Sequence, residues 1–305
     1  MVHETLAATH AVVTLDVGLP DIVWGWIITM NMWAKSIGTG VIFMLFYLLK
    51  KYNDEQAVAN LRFPLTAISI VFIHMFLFFT VIDLHQIFRF WHIFFHPHFT
   101  SAITIGSFLA TAFVGMILLL AYASLIKKDN ALFDKVLMWT TVLAIPVTLY
   151  TAGLMAQSTA RELWQMPTES AQMILAATLS GSATVLLWDT ITGGKLSYEA
   201  RRDMGIVLGL SALAAFTLYM AELILGPMKA EEVAAVLEYV KGHGEYATMF
   251  WIGQTFAFIV PMVLVLLSVT SRSQGLLKVA ALSAVAGLWV VKHVWLVIPQ
   301  LLPMS

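Results

Sequence analysis

The sequence predicts an all-α integral membrane fold of eight transmembrane helices, arranged as two four-helix bundles, and three observations carry the prediction. Of the 305 residues, 60% are hydrophobic and only 11% charged, and the mean hydropathy of +0.84 lies far above that of a soluble domain. Apolar runs long enough to cross about 30 Å of hydrocarbon recur along the chain. The short alternating segments of a closed β-barrel are missing, which leaves helices, whose backbone groups are satisfied within each segment, as the way through lipid.

The first run, 22–49, carries Ser36 and Gly40 at a spacing that lets another helix approach closely. The second, 63–84, has His74 at its midpoint, read as a satisfied core histidine, and ends at Asp83. The third is 100–126. The fourth, 133–156, has Tyr150 toward its outer end, and the fifth is 169–189. Glu222 lies toward the outer end of the sixth, 204–226. The seventh is 247–270, and the eighth, 276–301, holds Lys292 and His293 in its outer half. Loops are short except 226–245, where Val233, Val236, Leu237 and Val240 fall on one face; this reads either as an amphipathic helix on the outer surface or as a plain connector. The chain is expected to form one membrane domain, 1–305, with approximate halves 22–156 and 169–301.

Orientation follows from the basic residues. Lys50, Lys51, Arg62, Lys127, Lys128, Lys135, Lys195, Arg201, Arg202, Arg272 and Lys278 fall on one side, against Arg89, Arg161, Lys229 and Lys241 on the other. The richer side is expected to be cytoplasmic, which puts both termini and the 83–106 stretch outside. The first twenty residues lack the basic segment of a cleaved signal peptide, so the N-terminus is expected to remain.

The 83–106 stretch, DLHQIFRFWHIFFHPHFTSAITIG, sets Asp83, His85, Arg89, His92, His96 and His98 between apolar runs. Such groups are costly in hydrocarbon and belong at a water–lipid boundary. His96 and His98 fit an aromatic belt around Trp91 equally well. Asp83 and Arg89, six apart, suit either a mutual pair or a grip on a polar headgroup. Deeper still, Asn31 and Lys35 share a helix face about 13 and 20 Å in from Ile22. Lys35 is the most expensive residue of the chain, and two readings compete for it: a functional cation, or a structural strut paired to a carbonyl or to a carboxylate such as Glu222. Asn31, Asp83, Tyr150, Glu222, Lys292 and His293 all fall in one leaflet.

The exclusions are equally informative. With no cysteine the chain cannot hold an iron–sulfur cluster by thiolates and has no thiol nucleophile. Paired histidines across a bundle core, as haem requires, do not occur. Walker, GxSxG and HExxH motifs are absent, and a net charge of −1 gives no case for nucleic acid.

The segment DLHQIFRFWHIF with Ser101 and Gly106 after it resembles the second-to-third-helix signature of NrfD-like membrane subunits, typified by the polysulfide reductase membrane anchor. WAKSIGTGV in the first run, Tyr150-Thr-Ala-Gly with Trp164 downstream, and Phe250-Trp251-Ile-Gly leading to Pro261 agree with it in order and spacing. The resemblance implies a quinone-reactive, haem-free subunit of the bacterial inner membrane, taking menaquinone or ubiquinone. It implies a ferredoxin-like iron–sulfur partner on the periplasmic face and a molybdopterin or multihaem cytochrome catalytic subunit beyond it. It also implies headgroup contacts from Asn31, which stands where other members often carry His, and from Tyr150, and it makes Asp83 the acidic residue ending the second helix.

The expected function is therefore exchange of electrons between quinone and an external iron–sulfur protein. Tyr150 and Asn31 hold the ring oxygens, Asp83, His85 and Glu222 exchange protons outward, and Lys35 stabilises negative charge on the headgroup or begins a deeper proton path. The competing expectations are a secondary transporter using Lys35, Glu222 and Lys292, and a purely structural anchor.

Overall fold

The computed structural model describes residues 22–84 and 87–302, and among these all regular structure is helical. The expected retained N-terminus, His85 and the terminal Ser305 lie outside the described residues. Eight helices are long and apolar enough to cross a membrane: α1 (Trp26–Lys51), α2 (Arg62–Asp83), α3 (Ala102–Lys127), α4 (Asn130–Ala156), α5 (Met166–Ile191), α6 (Tyr198–Leu225), α7 (Ala247–Ser271) and α8 (Gln274–Val297). The chain is a multi-pass membrane protein, with the eight predicted runs each recovered as one helix.

Helix α1 lies at the centre, packed on α2, α4, α5 and α8, while α2 and α3 turn most of their surface outward. The α1–α5 crossing is set by two glycines. A Cβ on Gly40 would run into the Ala177 carbonyl, and one on Gly181 into the Gly40 backbone, so the two backbones meet where only hydrogen fits. Ser36, also buried, spends its hydroxyl on the Met32 carbonyl of its own helix at 2.9 Å.

The end of the bundle that carries most basic residues is held by polar groups. Asp203 on α6 accepts from Tyr47 and Tyr52 at 2.8 and 2.7 Å and pairs with Lys51, all three from the end of α1. Arg62 pairs with Asp134 and Arg201 with Asp189, each at 3.2 Å. Helices α4 and α6 start there under side-chain caps: Asp129 accepts from Leu132 N–H at 3.0 Å and Ser197 from Ala200 N–H at 3.1 Å, which satisfies donors that have no partner within the helix.

At the opposite end the Gln300 side chain staples the approach to α1 to the turn that follows α8. Its Oε1 accepts from Val23 and Trp24 N–H at 3.0 and 2.9 Å, and its Nε2 donates to the Trp24 and Leu296 carbonyls. The 226–245 segment does form an amphipathic helix, Glu231–Glu238. Its apolar face is not on lipid, however: Val233, Val236, Leu237 and Val240 are fully buried against the turns 226–228 and 298–300. His74 is also corrected. It projects outward beside Val71 and Phe78, and its Nδ1 lies 2.7 Å from the Ile70 carbonyl of its own helix. That local bond leaves it no need for a core partner.

Candidate functional site

A cavity of about 110 Å³ opens at the stapled end between α1, α2, α3, α4 and α8. Its walls are largely apolar: Trp24, Ile28 and Met32 from α1 and its approach, Leu84 and Ile103 across the α2–α3 gap, Leu154 and Met155 from α4, and Leu296 from α8. Its polar groups are Asn31, Thr80, Asp83, Tyr150 and Thr151. An apolar hollow with few convergent polar groups is the usual form of a small-molecule site. Trp24 is held in its wall by the Gln300 staple and by stacking on Trp164, with ring centroids 5.4 Å apart.

The hydrogen bonds fix what each polar group can offer. Asn31 Nδ2 donates to the Phe76 carbonyl at 3.1 Å and to Thr80 Oγ1 at 2.6 Å, and Thr80 donates in turn to the Phe76 carbonyl at 2.9 Å. Both amide hydrogens are therefore engaged by α2, and what Asn31 retains for a ligand is its acceptor oxygen. The expectation that Asn31 donates to a ring carbonyl changes accordingly. Tyr150 stands against Gly106 of α3, where any Cβ would strike the phenol ring, and meets Phe76 edge-on at 6.2 Å.

Lys35 is fully buried and lies behind this wall. Its Nζ donates to the Thr148 carbonyl at 3.2 Å and to Thr151 Oγ1, and sits over the Tyr150 ring, 4.5 Å from the centroid. It thus touches two residues of the cavity and is not itself in the lining. Thr151 accepts from the ammonium, interacts with the neighbouring Tyr150 phenol, and faces the cavity.

The polar groups expected to converge fall into two clusters. Asn31, Asp83 and Tyr150 share the cavity. Glu222 does not: both of its oxygens bond Lys229 at 2.7 Å, and Thr168 donates to it at 3.2 Å. The Gly226–Met228 turn brings Lys229 back onto Glu222, so the proposed Lys35–Glu222 strut is replaced by a local pair. Arg89 is exposed on the turn Ile87–Arg89, and His92, His96 and His98 are exposed with it. The loop turns Phe88, Phe95 and Phe99 outward, in keeping with an interfacial belt, and among the described residues of the 83–106 stretch only Asp83, Leu84 and Ile103 reach the cavity.

The second cluster sets Lys292, which the sequence singled out, near Glu169, which it did not. Glu169 of α5, 1% exposed, accepts from Trp295 Nε1 at 3.1 Å, and Lys292 of α8 points its Nζ at Met173 Sδ, 3.6 Å away. An acid in the first turn of a helix ordinarily complements the helix dipole at a surface, so position alone gave no sign of burial. Thr80 and Thr151 were missed for a similar reason, since hydroxyls in spanning helices usually bond their own carbonyls.

A larger hollow of about 350 Å³ opens at the basic end beside Asp189, Arg201 and Lys278. Arg201 is committed there to Asp189 and to the Leu196 and Gly194 carbonyls, and none of the predicted site residues is near it.

A search of curated proteins finds no significant match. The model of the family described as polysulphide reductase, NrfD, matches residues 18–302, nearly the whole of the eight-helix bundle and all of the cavity, and the chain belongs to that family.

Proposed function

We propose that this chain is the quinone-reactive membrane subunit of a reductase complex, and that the 110 Å³ cavity between α1, α2, α3, α4 and α8 holds the quinone headgroup. The observation that carries the reading is the combination, in one small apolar hollow, of an acceptor oxygen on Asn31, a phenol on Tyr150, a hydroxyl on Thr151 and a carboxylate on Asp83. The volume is small beside the roughly 300–1,000 Å³ of a drug-sized site, so it suits one planar ring and leaves an isoprenoid tail to the lipid beyond Ile103. When bound, quinone supplies two-electron, two-proton redox chemistry.

The residues divide the work by their bonding. Asn31 Oδ1 accepts from a hydroxyl of the reduced headgroup. Thr151 and Tyr150 donate to its oxygens, and the Lys35 ammonium behind both strengthens those donors, since a charge in low dielectric acts strongly at short range. Asp83, at the mouth, takes or returns a proton toward the outer water. Arg89 lies off the cavity and has no part in this assignment, and Glu222 belongs to the second cluster.

Electrons leave or arrive through a ferredoxin-like iron–sulfur partner on the same outer face, with a molybdopterin or cytochrome subunit beyond it. The basic asymmetry supports a cytoplasmic basic end and periplasmic termini. A transporter is less well supported, because the cavity lies where α2 ends at Asp83 and α3 begins at Ala102, whereas transporter sites gather broken helices at the midplane.

The test uses Trp24. Titrating the purified full chain with a short-tailed quinone analogue should quench fluorescence saturably, and Trp24→Phe should remove the saturable part. Linear, unsaturable quenching in the unaltered protein would sink the reading.

A further inference from the structure

The second cluster lies just behind the first. Met32, Met155 and Leu296 line both the 110 Å³ cavity and a smaller one of about 10 Å³, whose other walls are Glu169, Gln172, Met173, Tyr219, Lys292 and Trp295. Apart from the shared residues, its walls come from three helices, Glu169, Gln172 and Met173 of α5, Tyr219 of α6, and Lys292 and Trp295 of α8, with Glu222 of α6 three residues beyond Tyr219. All are buried.

These groups are badly arranged for a structural role. Glu169 and Lys292 attract each other, yet no ion pair closes between them among the described residues. The carboxylate bonds an indole N–H and the ammonium a thioether. Gln172 Nε2 is buried without a protein acceptor and borders the small cavity. A strut that buries two charges without joining them costs more than the apolar residues it replaces. The hollow, by contrast, has the size of one water, and its walls offer the two to four polar partners a buried water needs: Glu169, Gln172, Lys292 and Tyr219.

We propose that this cluster is a proton relay, in which one water held by Gln172 joins Glu169 to Lys292, and which exchanges protons with the outer surface through Glu222 and Lys229. Toward the outside, α5 and α6 carry the next polar groups. Lys229 is partly exposed and bonded to Glu222, Glu222 accepts from Thr168, and Thr168 is the residue before Glu169. Inward, α8 packs on α1, which carries Lys35 three residues beyond the Met32 that lines the small cavity. A proton given up at Lys292 passes through the water to the Glu169 carboxylate, and from there to Glu222 and the outside; no other bond is made or broken. What the proton serves rests on the quinone reading, because Lys35 is the link between this relay and the proposed headgroup site. The relay itself does not.

The experiment is a pH titration of the purified full chain followed by infrared difference spectroscopy, with exchange into deuterated water. The expected result is a carboxylic-acid band that titrates, shifts on deuteration and disappears in Glu169→Gln. In Glu222→Gln the band should remain while its exchange with bulk water slows, and Gln172→Leu should also slow exchange. If Glu169→Gln fails to fold, Glu169→Asp should move the band instead of abolishing it. A titration spectrum untouched by every Glu169 substitution, or exchange unaltered in both Glu222→Gln and Gln172→Leu, overturns the relay. Saturable quenching of Trp24 by the quinone analogue, measured on the same samples, should be unchanged in Gln172→Leu. Its absence in the unaltered protein would count against the headgroup site and leave the infrared result standing.

Discussion

Lys35→Met separates a functional lysine from a structural one. In the structure the ammonium has three supports: the Thr148 carbonyl at 3.2 Å, Thr151 Oγ1, and the Tyr150 ring at 4.5 Å. Hydrogen bonds to a charged group contribute about 1.5–3 kcal/mol each, and a desolvated cation–π contact about 2 kcal/mol, roughly 5–8 kcal/mol in all before any cost is counted. Against this stands the removal of an ammonium from water, which costs several kcal/mol even after relaxation. With no carboxylate paired to Lys35 among the described residues, the two sides nearly cancel.

Replacing the lysine with a methionine of similar length removes both the supports and the desolvation cost, so the thermal midpoint in detergent should shift little or rise. Thr151→Val should lower it, because the ammonium stays buried with one support gone. Quinone-linked turnover of the assembled complex should fall in both. A large loss of stability in Lys35→Met, with turnover in step with the remaining folded protein, would refute the reasoning and make Lys35 a strut.

Four further outcomes follow from the geometry. Tyr150→Phe should weaken quinone-analogue binding by about 1–3 kcal/mol, the cost of an unmade buried hydrogen bond, read by the Trp24 quenching titration; unchanged affinity removes Tyr150 from the site. Gly106→Ala should also weaken binding, by pushing the Tyr150 ring off its seat, with helix content by circular dichroism preserved. Gly181→Leu should abolish the monodisperse peak in size-exclusion chromatography, since the α1–α5 crossing has no room for a side chain. A reporter active only in the cytoplasm should be silent when fused after Ser305, and strong activity there would invert the assigned orientation.

The helices were legible because crossing lipid demands about twenty apolar residues in a row, a signal too long to arise from local packing. Lys35, which helix rise alone places deep within the first run, is fully buried in the bundle. Its partner was not legible. Sequence offered Glu222 as the nearest carboxylate by leaflet, but the 226–228 turn delivers Lys229 to Glu222 at a separation of seven residues, and a local pair forms where a long-range one was expected. The 83–98 stretch misled in the opposite direction. Its histidines and arginine look like chemistry in one dimension, yet nothing in their order says which way a loop at a membrane surface turns its rings. Glu169 went unnoticed because its burial is conferred by Trp295, more than a hundred residues away.

The separation of the two clusters has an electrostatic consequence of its own. Had Glu169 paired directly with Lys35, the two charges would largely cancel at the cavity, and Thr151 and Tyr150 would face a headgroup as ordinary neutral donors. The apolar wall of Met32, Met155 and Leu296 stands between the cavity and the small chamber that Glu169 lines. Lys35, lying under Thr151 and Tyr150, therefore keeps its field directed at the place where negative charge develops on reduction. The cost of an ammonium buried without a carboxylate is then the source of its effect. Moving a carboxylate to the wall, as in Met32→Glu, should raise stability and lower quinone-linked turnover together. A substitution that raised both would mean that the field of Lys35 is not what the cavity uses.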